Sequence, residues 1–176
     1  SALRGEWWEL YWTGSGYSSR KVGTWDANQG YGELLTGDMN GDGRTDVATR
    51  SGAGDWAFLN FNGSSYASQG MTNWGGNAAW KNLATADLNG DGKDEIVGQN
   101  ATTHAWWGIF AKVEGFENRL LVTGTTNWLA EGMQATDLNQ DGIAELTGYD
   151  PVREKWWSLE AEGTGGEATA LDAVTW

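Results

Sequence analysis

Three acidic segments recur in this chain at a fixed interval: DMNGDGRTD at 38–46, DLNGDGKDE at 87–95 and DLNQDGIAE at 137–145, starting 49 and 50 residues apart. A second series runs out of phase with them. Trp7, Trp56, Trp106 and Trp156 open similar aromatic stretches, spaced 49, 50 and 50. A third series, Trp25, Trp74, Trp128 and Trp176, closes each unit one or two residues after a threonine. Three series on one period define a repeat array. Such arrays fold by stacking like units, because one unit alone cannot bury its apolar face.

Each unit reads as four short strands. The first is an apolar stretch before the acidic loop (34–36, 83–85, 133–135) and the second follows the loop (46–49, 95–98, 145–148). The third is the tryptophan-led segment (6–12, 55–61, 105–111, 155–161), and the fourth runs to the terminal tryptophan. Gly, Asn and Ser clusters separate them, as hairpins require. No segment carries sustained 3.6-residue apolar periodicity with caps, so no helix is expected. The third strand is apolar on both faces: Trp8, Leu10 and Trp12 alternate with Trp7 and Tyr11. Both faces of each sheet should therefore be covered by neighbours.

The expected fold is all-β: one repeat domain over 1–176, an arc of propeller-like, four-stranded antiparallel blades. Full blades are expected at 33–74, 82–128 and 132–176, with a half blade at 1–32. An open arc leaves sheet edges that template association. The chain is thus expected either to dimerise, two copies supplying the 28 strands of a seven-bladed ring, or to belong to a longer propeller.

The acidic loops read Asp-x-Asn-x-Asp-Gly-x-x-Asp/Glu. Side chains at positions 1, 3 and 5 converge when the backbone coils tightly, and glycine at position 6 permits the turn. Position 7 offers a main-chain carbonyl, which leaves its side chain free to vary, and a carboxylate at position 9 closes the shell. The candidate ligands are Asp38, Asn40, Asp42, Arg44 and Asp46; Asp87, Asn89, Asp91, Lys93 and Glu95; and Asp137, Asn139, Asp141, Ile143 and Glu145. An all-oxygen set suits Ca²⁺; Mg²⁺ prefers a strict octahedron with several waters, and Zn²⁺ prefers His or Cys. Helix-flanked calcium loops carry a ligand at position 12, where this chain has Thr49, Gly98 and Gly148. Gln140 replaces the glycine found at Gly41 and Gly90, which is expected to stiffen or reshape the third site.

Charge and composition narrow the partners. With 11 basic and 24 acidic residues the net charge is -13, which opposes binding to nucleic acid or anionic membranes. No apolar run approaches the ~20 residues of a membrane span, and the first residues do not read as a basic stretch followed by an apolar one, so a secretory signal, if the protein is secreted, is expected to have been removed or to lie upstream. Cysteine is absent, which excludes disulfides and thiolate chemistry. The single histidine, His104, offers a poor start for a catalytic triad, and the Gly-rich stretch 163–166 is followed by neither Lys nor helix.

The triple loop at blade spacing resembles the FG-GAP/VCBS repeat of integrin-α-type propellers, over nearly the whole chain. The tryptophan-rich third strand is similar to the type found in secreted bacterial proteins. That resemblance implies three structural Ca²⁺ sites and an extracellular or cell-surface location. It also implies a non-catalytic role in adhesion or in binding carbohydrate or protein. A self-assembling scaffold and a part of a polysaccharide-active enzyme are the alternatives. Most tryptophans repeat and read as packing between blades; Trp12 and Trp80, unmatched by tryptophan in the other units, are the candidate ligand-stacking residues.

Overall fold

The computed structural model describes residues 5–122, 131–150, 154–160 and 169–174. Strands β1 (Glu6–Trp12) and β2 (Tyr17–Thr24) form a two-stranded half sheet. The first full sheet holds β3 (Glu33–Gly37), β4 (Asp46–Arg50), β5 (Asp55–Phe61) and β6 (Tyr66–Asn73). The second holds β7 (Trp80–Ala86), β8 (Glu95–Asn100), β9 (Trp106–Ala111) and β10 (Phe116–Val122). The third holds β11 (Glu131–Thr136), β12 (Glu145–Asp150), β13 (Lys155–Glu160) and β14 (Thr169–Val174). Pairing is antiparallel throughout and follows chain order, so each sheet is a meander. Among the described residues there is no α-helix, only one 3₁₀ turn at Ala27–Gln29, capped by the Asp26 carboxylate.

The register repeats with the sequence. Val47 stands opposite Leu59, Ile96 opposite Ile109 and Leu146 opposite Leu159. The inner strands β3, β7 and β11 touch in series, as do the outer strands β2, β6 and β10. The Thr85 hydroxyl ties two inner strands by donating to the Thr36 carbonyl at 2.6 Å. These are propeller-like blades, stacked face to face.

Strand alternation explains the stacking. Met39, Ala48, Trp56 and Phe58 of the first sheet pack on Ile96 and Ile109 of the second. Leu88, Val97, Trp106 and Phe110 of the second pack on Ala144 and Leu146 of the third. The tryptophan-led face of one sheet thus meets the opposite face of the next. Fully burying one such indole contributes about 5 kcal/mol before entropic costs.

Coverage on both faces holds for the first and second sheets and fails at the half sheet. Leu10 is 69% exposed, whereas its repeat equivalents Leu59 and Ile109 are 3% and 1% exposed. Trp8 and Trp12 share that open face and are also exposed. Among the described residues no sheet stands on that side, so the apolar pattern there outruns its partners.

Candidate functional site

Each acidic loop joins the first and second strands of its sheet, where a tight bend must turn the chain through a few residues. The bend is built by the aspartate at position 1. Asp38 accepts from the amides of Gly41 (2.8 Å), Asp42 (3.1 Å) and Gly43 (2.7 Å). Asp87 accepts from Gly90 (2.7 Å) and Gly92 (2.8 Å), and Asp137 from Asp141 (3.2 Å) and Gly142 (2.9 Å). Asn40, Asn89 and Asn139 each take the amide two residues on, as do Asp42, Asp91 and Asp141. These are Asx turns in series, and they coil the loop inward.

The closing acid reaches back across the loop. Asp46 accepts from the Met39 amide, Glu95 from Leu88 at 2.9 Å and Glu145 from Leu138 at 2.8 Å. All three closing acids are buried. Burial raises the Asp46 carboxyl above the usual range, and the Phe61 amide partly opposes that rise. Burial pushes Glu95 up to about 8, against the bond from the Leu88 amide, with Asp91 and Asp87 adding repulsion.

The third loop gathers its acids most closely: carboxylate oxygens of Asp137, Asp141 and Glu145 lie within 4.8 Å of one another. Glu145 Oε1 is buried there with no hydrogen-bond partner. A clustered, all-oxygen donor set with an unsatisfied buried carboxylate oxygen fits a hard cation. The first and second loops do not reach the same mutual approach. Their position-7 side chains do more than vary freely, since Arg44 lies 3.6 Å from Asp42 and Lys93 lies 4.0 Å from Asp91. Ile143 offers the third loop no such cation.

Position 4 has a requirement that the motif alone did not reveal. Gly41 and Gly90 have φ of 76° and 73°. A Cβ on Gly41 would sit 3.1 Å from Lys93 Cγ, and one on Gly90 would sit 3.1 Å from Ile143 Cγ1. Glycine there lets a side chain of the next loop pack close. Gln140 adopts the same left-handed conformation, at φ 64°, so the third bend keeps its backbone shape rather than changing it.

A pocket of about 520 Å³ opens where the first and second sheets meet. Its walls include Trp74, Trp80, Trp107, Asn100, Asn118 and Leu120. Trp80 stacks on Trp74 at 4.2 Å and donates its indole N–H to the Trp74 carbonyl. The Asn118 amide is fixed by Thr72 Oγ1, Trp74 Nε1 and the Asn73 carbonyl. Asn100 Oδ1 is held by the Thr102 and Thr103 amides. Trp80 is not without an equivalent: Tyr31 stacks on Trp25 at 5.0 Å in the same way. Trp107, Asn118 and Leu120 are not marked by the sequence, because they meet Trp80 only when β7, β9 and β10 of the second sheet are brought together beside Trp74 at the end of the first.

Trp12 lies apart from this pocket, exposed at the end of β1 and edge-on to Tyr17. His104 sits in the β8–β9 turn at φ 60°, its carbonyl accepting from Gln99 and its Nδ1 without a partner. The 163–166 stretch, Ala130, Trp128 and Trp176 lie outside the described residues.

The sheets and bends define a class, the propeller-like array of four-stranded blades with acidic loops between first and second strands. Within that class the chain carries an FG-GAP-like repeat, whose family model matches residues 38–98. The match spans the first loop, all of β4 to β7 and the second loop. No curated protein matches the chain.

Proposed function

We propose that this chain is a non-catalytic binding module of an extracellular protein, that Ca²⁺ in the three acidic loops stabilises it, and that it takes a neutral carbohydrate in the pocket between its first and second sheets. The pocket carries the reading. Its walls are aromatic and amide groups without a charged side chain. Indole faces suit the C–H surfaces of a sugar ring, and amides suit its hydroxyls. Asn118, Asn100 and Trp80 are already held by their own hydrogen bonds, so little ordering is left to oppose binding. Ca²⁺ would supply the counter-charge for three carboxylates per loop, held by Asp137, Asp141 and Glu145 in the third and by their equivalents in the others. Adhesion, an extracellular setting and assembly into a larger ring follow from the same reading of the repeat.

A glycan array followed by calorimetry tests the pocket. A hit whose affinity falls at least tenfold in Trp107→Ala, with the Tm kept, supports it. An array without hits leaves the scaffold reading in its place.

A further inference from the structure

The second acidic loop reaches into the first with a residue outside its own ligand set. Asp94 occupies position 8 of its loop, where the first and third loops have Thr45 and Ala144. Its carboxylate accepts from the Asp38 amide at 2.7 Å, and its own amide donates to the Asp38 carbonyl at 2.8 Å. Both main-chain groups of Asp38 are therefore held by one residue of the next sheet's loop. Asp38 is position 1 of the first loop, and its carboxylate is the hub that takes the amides of Gly41, Asp42 and Gly43. Fixing the backbone of Asp38 on both sides fixes where that carboxylate stands.

A glycine makes room for this contact. A Cβ on Gly37 would lie 2.6 Å from Asp94 Oδ2 and 3.0 Å from Asp94 Cβ, so an alanine there would have to push the carboxylate away. Gly37 is not among the residues of positive φ, so space rather than backbone shape calls for glycine. At the next interface the pair changes as a unit: Ala86 takes the place of Gly37, and Ala144 the place of Asp94. There the Ala144 amide still donates to the Asp87 carbonyl at 2.7 Å, but alanine offers the Asp87 amide no side-chain acceptor. One interface thus has a side-chain clamp together with the glycine that admits it, and the other has neither.

We propose that Asp94 is a positioning residue for the cation site of the first loop, supplied by the second loop, and that it makes the first loop's affinity depend on its neighbour. The proposal rests on the calcium reading of the loops. Asp94 acts through Asp38 rather than as a ligand. A bond from an amide to a carboxylate is stronger than one between neutral groups. Preorganising Asp38 removes ordering that cation binding would otherwise have to impose. Asp94 also adjoins Glu95, the closing acid of its own loop, so ordering the second loop orders the residue that grips Asp38. Filling the second site therefore favours filling the first, and by linkage the reverse holds. The third loop has no such side-chain link to the second and lies outside this coupling.

The test is a calcium titration of the whole chain followed by NMR at the amides of Gly43, Gly92 and Gly142. Each donates to the position-1 carboxylate of its own loop, so the three loops are read separately. Asp94→Ala should weaken the Gly43 transition by roughly fivefold or more, with the Gly142 midpoint kept. Asp94→Asn, which retains an oxygen for the Asp38 amide, should recover most of that loss. Gly37→Ala should reproduce the loss by displacing Asp94, yet add little on top of Asp94→Ala, because the double variant is the Ala86–Ala144 pair that the chain already carries. A Gly43 midpoint unmoved by Asp94→Ala overturns the proposal alone. So does an Asp94→Asn chain as weak as Asp94→Ala, which would make charge the cause, or losses at Gly37 and Asp94 that simply multiply. No calcium response at any of the three glycines overturns the calcium reading, and the proposal with it.

Discussion

In the second acidic loop the closing carboxylate is satisfied from within; in the third it is left open. Asn89 Nδ2 donates to Glu95 Oε1 at 3.1 Å. Asn139 turns the equivalent amide to Asp141 Oδ2 at 2.9 Å, and Glu145 Oε1 has no partner. The second loop also has Lys93 beside Asp91, and its Glu95 is pushed up to about 8 by burial. The third has Ile143 at that place. One motif thus disposes of its closing carboxylate in two ways: with an amide donor on each oxygen and a lysine beside the neighbouring Asp91, or with one oxygen left open among clustered acids. The difference arises in one asparagine rotamer and one side chain, not in the bend.

Metal removal should move the molecule most. At free Ca²⁺ a hundredfold above Kd, each filled site contributes about 2.7 kcal/mol, or roughly 5–10 °C in Tm for a chain of this size. Calorimetric titration with Glu145→Gln and Glu95→Gln sharpens the comparison. Glu145→Gln should abolish the tightest binding event and Glu95→Gln a weaker one. Equal losses would erase the distinction between the loops, and a Tm indifferent to EDTA would remove the metal altogether.

Stacking comes next. Gly90→Gln combines a left-handed backbone with a Cβ against Ile143 and should cost about 2–4 kcal/mol, read as a lower denaturation midpoint. A neutral result would show that the second loop is not gripped by the third.

The effect of pH is smaller. In EDTA the native chain keeps the Glu95 proton up to about 8, whereas an unfolded carboxyl loses it near 4.5. The native state then binds more protons at Glu95 across that window, so the contribution of this group is full below pH 4.5 and is lost as pH rises toward 8. The metal-free Tm should be higher at pH 5 than at pH 8 by a few degrees, and Glu95→Gln should flatten that slope. The smallest change is expected from Gln140→Gly, within about 1 kcal/mol, because relief of the left-handed backbone is offset by glycine's entropy.

Strand number, strand order and the positions of the three bends were determined by the sequence, because period-2 alternation, turn residues and the Asx ladder act within a few residues of one another. The tertiary structure alone decided that glycine at position 4 lies against a side chain of the next loop, that Leu10 is exposed while Leu59 is buried, and that Trp80 stacks on Trp74 beside a pocket. Each of those depends on a neighbour from a different sheet. Stacking brings that neighbour close, and no local rule in the chain announces it.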